Sequence, residues 1–205
     1  PKDKVVIFSP FYENYGADTI LSGAEPIYVP LVPPDFTFSI EQLENAFKQG
    51  AKALILCNPS NPCGKVFTFE ELTAIADVVK KYDAYVVTDE VYEHIVYAPN
   101  KHIYMQALDG MRERTIVCNS LSKTYSITGW RLGYVIANPE IIDRVKKVHD
   151  FLTVGAAAPL MEAATVGLKF DDKYYDELET SIEARIVDDV EVDRDSSIRS
   201  PDDIS

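Results

Sequence analysis

The sequence predicts an α/β fold with three layers, α/β/α, around a mostly parallel β-sheet. Three observations carry this prediction. Six short apolar runs recur along the chain, their residues are continuous rather than alternating in polarity, and segments with helical periodicity lie between them. Continuous β-branched runs are typical of strands buried on both faces, as in parallel sheets. Strands that alternate with helices at this spacing favour right-handed crossover connections.

The predicted strands are short and rich in Val, Ile and Leu, with a weaker second run. They comprise residues 5–8, 26–29, 53–57, 84–88, 115–118 and 134–137. A chain of 205 residues has room for one large domain or two small ones.

Helix signals lie between these runs. Ser39 can cap a helix that Gly50 stops, and Thr68 can cap the next helix with Glu71 in a capping box. Pro139 opens another helix. The apolar positions of that helix, which we expect to face inward, are Ile141, Ile142, Val145 and Val148.

The chain changes character after Phe170. Residues 156–169 form an Ala-rich helix pattern, and residues 1–170 hold 20 acidic and 16 basic residues. Residues 171–205 hold 13 acidic and 4 basic residues. We therefore expect residues 1–170 to form the folded domain and residues 171–205 an acidic tail. The tail should be partly helical at first and poorly ordered from residue 182.

Composition excludes several classes of function. The net charge of −13 and the absence of a basic face argue against nucleic acid and anionic membranes as partners. No run of eighteen apolar residues predicts a transmembrane helix. The three cysteines fit neither a disulfide framework nor a zinc spacing, so we expect no metal site and a cytoplasmic location.

Polar loops follow four of the predicted strands. In an open parallel sheet, ligands bind beyond the carboxyl ends of the strands. Each polar residue alone has an ordinary explanation: a lone Lys is usually solvated, an Asp after a strand often caps a helix, and Asn-Pro pairs mark turns. Together they predict a ligand site at one edge of the sheet, formed by residues 9–15, 58–64, 88–92 and 119–133.

Three motifs in these loops resemble those of a known family. They are Asn58-Pro-Ser-Asn-Pro-Cys-Gly64, Thr88-Asp-Glu-Val-Tyr92 and Ser120-Leu-Ser-Lys-Thr-Tyr-Ser-Ile-Thr-Gly-Trp-Arg-Leu-Gly133. Residues 1–170 resemble the fold-type-I pyridoxal-phosphate enzymes, specifically the class I/II aminotransferases of the aspartate, aromatic and kynurenine type. The resemblance implies the central part of the large cofactor domain and pyridoxal 5′-phosphate as cofactor. It also implies exchange of an amino group between an amino acid and a 2-oxo acid, and a homodimeric parent protein.

The resemblance implies catalytic roles for three residues. Lys123 would form the Schiff base with the cofactor aldehyde and then move a proton between Cα and C4′. Asp89 would pair with the pyridinium nitrogen and keep it protonated. Tyr92 would donate a hydrogen bond to the phenolate oxygen of the ring.

It also implies five further contacts to the cofactor. Asn61 would bond the phenolate oxygen from the other side, and Tyr12 would stack on the ring face. Ser120 and Arg131 would hold the phosphate, one through a hydroxyl and one through a charged fork. Ser122 is a further candidate for the phosphate.

Two other expectations concern the backbone and the histidines. The resemblance implies a cis peptide bond between Asn61 and Pro62, which would aim the Asn61 amide inward. His94 is expected to be structural, because it matches no catalytic position. His102 and His149 are expected to lie on the surface or on a helix face.

The chain also departs from the family. Members run to roughly double this length, and the phosphate-cradling turn, the N-terminal arm and the small domain are missing here. The missing domain carries the Arg that holds the substrate carboxylate, so we expect a fragment with weak or no turnover of its own. Two alternatives remain: a carbon–sulfur lyase or related enzyme with the same cofactor, and a non-catalytic remnant or regulatory module. A nicotinamide oxidoreductase is excluded, because no Gly-x-Gly-x-x-Gly follows the first strand.

Overall fold

In the computed structural model, which describes residues 2–181, six strands form one sheet. The strands run in the spatial order β2-β1-β3-β4-β5-β6. The first five are parallel, and β6 is antiparallel to β5. Their bounds are β1 (Lys4–Ser9), β2 (Glu25–Pro30), β3 (Ala51–Cys57), β4 (Tyr85–Asp89), β5 (Thr115–Ser120) and β6 (Gly133–Ile136). The predicted α/β fold with a mostly parallel sheet is confirmed.

Five α-helices connect or follow these strands, and residues 172–181 are also helical. None of the helices in residues 2–181 has the length and apolar content that a membrane crossing needs. Short 3-10 turns occupy Met105–Ala107, Arg112–Arg114 and Thr128–Trp130. The helices are α1 (Asn14–Leu21), α2 (Ile40–Lys48), α3 (Phe69–Lys81), α4 (Pro139–Leu152) and α5 (Ala158–Gly167).

The helices α2, α3 and α4 begin where the sequence predicts, directly after their capping residues. Ser39 Oγ accepts a hydrogen bond of 3.3 Å from a backbone N–H in the first turn of α2. Thr68 and Glu71 form the reciprocal capping box at α3, with bonds of 3.2 and 3.0 Å. Pro139 begins α4, and the side chain of Asn138 caps it at 3.0 Å. These caps satisfy N–H groups that a helix leaves without partners in its first turn.

The main core lies between the sheet and the helices α2 and α3. Alternate residues of β1, β3 and β4 face it, because successive side chains of a strand point to opposite faces. The strands and helices contribute Val6, Phe8, Leu54, Leu56, Val86, Leu43, Phe47, Leu72, Ile75 and Val79, all essentially buried. On the opposite face Ile7 is buried near α1, which contacts β1 and β2. This packing fixes the carboxyl ends of the central strands, where the polar loops begin.

The prediction for α4 is wrong in one respect. Ile141, Ile142 and Val145 are only partly buried, and Val148 is 60% exposed. The helix stands across an open groove from β6, whose four residues are also exposed. The apolar stripe of α4 is therefore only partly covered by the rest of residues 2–181.

The beginning of the expected tail packs on the domain. Tyr174 donates a hydrogen bond of 2.7 Å to the carbonyl of Thr124, and the hydroxyls of Tyr125 and Tyr175 lie 3.0 Å apart. The helical expectation for residues 171–181 agrees with this segment. The expected disorder from residue 182 lies outside the described residues, and the domain boundary at residue 170 stays a prediction.

Candidate active site

A cavity of about 380 Å³ opens at the carboxyl edge of the sheet, beside the ends of β3, β4 and β5. Its size falls within the range of roughly 300–1,000 Å³ that is typical of ligand pockets. All the residues predicted for the site line it, namely Tyr12, Asn61, Asp89, Tyr92, Ser120, Ser122, Lys123 and Arg131. The structure thus brings together loops that lie up to 119 positions apart in the sequence.

The carboxylate of Asp89 is held at the end of β4. Its Oδ1 accepts a hydrogen bond of 3.2 Å from the backbone N–H of Val91. Its Oδ2 accepts one of 2.6 Å from the hydroxyl of Tyr15. A carboxylate offers about four lone-pair positions, so Asp89 can still accept a bond from a group in the cavity. Tyr15 lies 74 residues before Asp89 and stands in none of the three motifs, so the sequence did not predict this contact.

Tyr92 lies close to both the Asn61 amide and the Lys123 amine. The Nζ of Lys123 is 5.8 Å from the centroid of the Tyr92 ring. Burial raises the pKa of the Tyr92 hydroxyl, and the nearby Cys57 and Asp89 add to this effect, whereas the Asn61 amide acts in the opposite direction. Tyr92 therefore keeps its proton at neutral pH and can serve as a hydrogen-bond donor.

The two Asn-Pro pairs have different roles: Asn61 faces the cavity, and Asn58 makes buried hydrogen bonds. The peptide bond between Asn61 and Pro62 is cis, as predicted, and the Asn61 side chain lines the cavity. Asn58 is buried instead, where its Oδ1 accepts from the N–H of Phe67 at 3.1 Å and its amide donates to the carbonyl of Ile103 at 3.4 Å. Asn58 thus fastens the loop that presents Asn61.

Two serines at the carboxyl end of β5 line the cavity: Ser120 is the last residue of the strand, and Ser122 lies two positions beyond it. The Oγ of Ser120 lies 2.6 Å from the Oγ of Ser122 and accepts a 3.1 Å bond from the N–H of Ser122. Strand β6 approaches closely here, because a Cβ at Gly133 would stand only 2.7 Å from the carbonyl of Asn119. Glycine at position 133 therefore permits the close pairing that holds the serine loop.

Arg131 lines the same cavity and stands in a left-handed turn. Its φ is +55°, and it follows the 3-10 turn Thr128–Trp130. A non-glycine residue in this region costs on the order of 1 kcal/mol, and such residues concentrate at functional sites. One guanidinium N–H donates to the carbonyl of Thr128 at 2.8 Å. Among the described residues the other donors have no hydrogen-bond partner, so they are available to an anion.

The prediction that His102 lies on the surface or on a helix face is wrong. Its side chain is 6% exposed, and its Nε2 lies 3.3 Å from the carboxylate of Glu90, which is 2% exposed. A buried carboxylate requires such a partner. Glu93 brings a third potential ligand atom within 4.8 Å, and it accepts a 2.6 Å bond from Asn119. These contacts anchor the loop after Asp89; the expected absence of a metal stays a prediction.

Cys57 also lines the cavity, but its thiol is poorly reactive. Burial and the negative charge of Asp89 raise the pKa of Cys57 to about 11. Near pH 8 only about one such thiol in a thousand is therefore the reactive thiolate. We expect alkylation of Cys57 by iodoacetamide to be slow near pH 8 and to accelerate about tenfold per pH unit until the pH approaches this pKa. Peptide mass spectrometry measures this, and labelling of Cys57 as fast as that of the half-buried Cys63 near pH 8 would contradict it.

The donor set of the cavity fits pyridoxal phosphate. One amine, Lys123, suits an aldehyde, and one carboxylate, Asp89, suits a protonated ring nitrogen. Hydroxyls and a guanidinium, from Ser120, Ser122 and Arg131, line the same cavity and suit a phosphate. Each polar group of the cofactor thus has a side chain of complementary chemistry.

Comparison with known proteins gives the family that the sequence motifs resemble. The family model described as "Aminotransferase class I and II" matches residues 1–187. Kynurenine–oxoglutarate transaminase 3 of Rattus norvegicus is 39% identical over 189 residues, which cover 87% of this chain and 42% of the relative. A probable N-succinyldiaminopimelate aminotransferase of Mycobacterium tuberculosis is 35% identical over 187 residues, which cover 90% of this chain and 47% of the relative. The chain thus spans a little under half the length of the curated relatives it matches.

Solved structures share the fold. N-succinyldiaminopimelate aminotransferase from Mycobacterium tuberculosis superposes with a TM-score of 0.86 at 35% identity, over 90% of this chain and 49% of that one. An aromatic aminotransferase from Pyrococcus horikoshii OT3 gives a TM-score of 0.83 at 36% identity, over 88% of this chain and 48% of that one. The chain therefore belongs to the class I and II aminotransferases, a family of pyridoxal-phosphate-dependent proteins.

Proposed function

We propose that this protein is a pyridoxal-phosphate-dependent aminotransferase, which transfers an amino group from an amino acid to a 2-oxo acid. The observation that carries the proposal is the meeting of Lys123, Asp89 and Arg131 in one cavity, which is also lined by Tyr12, Tyr92, Asn61, Ser120 and Ser122. Relatives that are 35–39% identical carry the names of transaminases, which supports the same chemistry.

Lys123 and Asp89 would carry out the central chemistry of the proposed reaction. When bound, the cofactor supplies a conjugated ring that takes up the electron pair released at the substrate Cα. Lys123 would hold the cofactor aldehyde and would accept and return the Cα proton at its Nζ. Asp89 would keep a positive charge on the ring nitrogen by accepting its N–H. Tyr92, which stays protonated, and Asn61 would donate hydrogen bonds to the ring oxygen.

Tyr12 has the surroundings of a stacking residue. It is 39% exposed, its hydroxyl accepts a 3.3 Å bond from the amide of Asn14, and its ring meets Tyr15 in a T-shaped contact at 5.7 Å. These contacts hold the ring of Tyr12 in place while leaving part of its surface open to the cavity. A flat ring in this position would fix the plane of the cofactor.

We also propose that the full-length protein is a homodimer. Large apolar side chains beyond the cavity are open to solvent, among them Phe151 at 95%, Val154 at 85% and Leu152 at 76% exposure. Exposed apolar patches of this kind are typical of surfaces that another chain or domain covers. The groove between α4 and β6 lies next to this patch.

The proposal is tested with the full-length protein and added pyridoxal phosphate. We expect visible cofactor absorbance to remain after gel filtration, at the mass of a dimer. We also expect an amino acid with 2-oxoglutarate to yield the matching 2-oxo acid and glutamate. The isolated 205-residue chain should turn over weakly or not at all, because orientation of the substrate contributes several kcal/mol to catalysis.

Other outcomes would contradict the proposal. Release of a thiol from cystathionine without amino transfer would indicate a carbon–sulfur lyase. A full-length protein that retains no cofactor would indicate a non-catalytic role.

A further inference from the structure

The hydroxyl of Tyr15 reaches the carboxylate of Asp89 from a distant part of the chain. The distance of 2.6 Å is typical of an O–H group that donates to an ionised carboxylate. Tyr15 is the second residue of α1, and its side chain lines the same cavity as Asp89. None of the roles proposed above involves this contact.

The local structure fixes the position of Tyr15. The hydroxyl of Thr19 donates a 2.7 Å bond to the Tyr15 carbonyl, and the Tyr15 ring rests against the edge of Tyr12. Gly16 allows the helix to lie close to its neighbours, because a Cβ there would stand 3.3 Å from the ring of Phe11. The hydroxyl of Tyr15 is therefore presented by a packed helix and not by a free loop.

The direction of the hydrogen bond is also determined. Burial raises the pKa of Tyr15 far above its ordinary value, and the nearby Cys57 and Asp89 raise it further. The phenol therefore keeps its proton throughout the working pH range. Tyr15 is the donor and the Asp89 carboxylate is the acceptor.

We propose that Tyr15 is a positioning residue, which holds the Asp89 carboxylate in the orientation that accepts the N–H of the cofactor ring. The inference rests on the proposed function. The hydrogen bonds from Val91 N–H to Oδ1 and from Tyr15 to Oδ2 both oppose rotation of the carboxylate about its Cβ–Cγ bond. Without the phenol, one anchor remains and the carboxylate can turn away from the ring nitrogen.

The first arm of the test measures the bond itself, in the full-length protein before cofactor is added. Unfolding equilibria are compared for the unmodified protein, Tyr15→Phe, Asp89→Ala and the double variant. A hydrogen bond to a charged group predicts a coupling on the order of tenfold in the folding equilibrium constant. The cycle also shows whether each variant folds.

The second arm measures the dissociation constant of pyridoxal phosphate. Tyr15→Phe should weaken binding on the order of tenfold, which matches the loss of one charge-assisted bond. In the Asp89→Ala background the same change should have little effect, since no carboxylate remains to be positioned. Tyr28→Phe is the matched control: Tyr28 is 48% exposed, stacks on Phe11 and does not line the cavity, so its loss of a hydroxyl should leave the constant unchanged.

The outcomes separate the inference from the proposed function. Absence of coupling in the first arm would overturn the hydrogen bond. Coupling without any change in cofactor affinity would overturn the positioning role and leave the proposed function intact. If the unmodified protein binds no cofactor, the proposed function fails and the positioning role fails with it, even where the first arm shows coupling.

Discussion

Replacing Lys123 with alanine should reduce transamination by at least the ~10²- to 10⁴-fold that a positioned proton-transfer group contributes. The amine at position 123 is the one lysine that lines the cavity, among residues 2–181, and the proposed function gives it both the attachment of the cofactor and the transfer of the Cα proton. The variant should also lose the covalent bond to the cofactor, because alanine has no nucleophilic atom. Steady-state rates and absorbance spectra of the full-length protein measure the two losses together.

The control for this prediction is Lys52→Ala. Lys52 is exposed on β3, and its side chain lies outside the cavity. Its removal should leave both the rate and the spectrum unchanged. A Lys123→Ala variant that retains more than about a tenth of the original rate would contradict the assignment, since it would lack the proton-transfer contribution.

Replacing Asp89 with asparagine should reduce kcat on the order of 10²- to 10³-fold. The change keeps the shape of the side chain but removes its charge, so the protonated ring nitrogen loses its counter-ion. Removing one partner of a hydrogen-bonded charge pair costs roughly 2–5 kcal/mol, and about 1.4 kcal/mol corresponds to a factor of ten. Single-turnover kinetics with an amino acid substrate, at saturating cofactor, separate this effect from weaker cofactor binding.

A matched control for that change is Asp109→Asn, at an exposed carboxylate away from the cavity. It removes the same charge and should leave kcat unchanged. If Asp89→Asn also leaves kcat within threefold of the original, Asp89 does not pair with the ring nitrogen, because a lost charge pair costs at least about 2 kcal/mol.

The strands and most helices could be predicted because their signals are local. Continuous apolar runs mark buried parallel strands, and capping side chains such as Ser39 and Thr68 mark helix starts. Helix α1 was missed, since it is eight residues long and has no side-chain cap and no acidic residue in its first turn. Strand β6 resembles the buried strands in sequence, yet it is an exposed antiparallel edge, because its surroundings and not its composition decide its burial.

The site was predictable where its residues belong to contiguous motifs and not elsewhere. Lys123 and Arg131 stand in one such motif, and the structure places both in the cavity. Tyr15 belongs to none of them, and its contact with Asp89 depends on how α1 packs against the sheet. The burial of His102 likewise depends on Glu90, which lies twelve residues earlier in the same connection after β4. Contacts of these two kinds leave no periodicity or motif in the sequence.

The most direct test of the proposed function is to locate the residue to which the cofactor is attached. The full-length protein is loaded with pyridoxal phosphate, treated with borohydride to make the attachment permanent, digested and analysed by mass spectrometry. We expect the added cofactor mass on Lys123, which lines the same cavity as Asp89. The added mass on another lysine, or on no lysine, would contradict it.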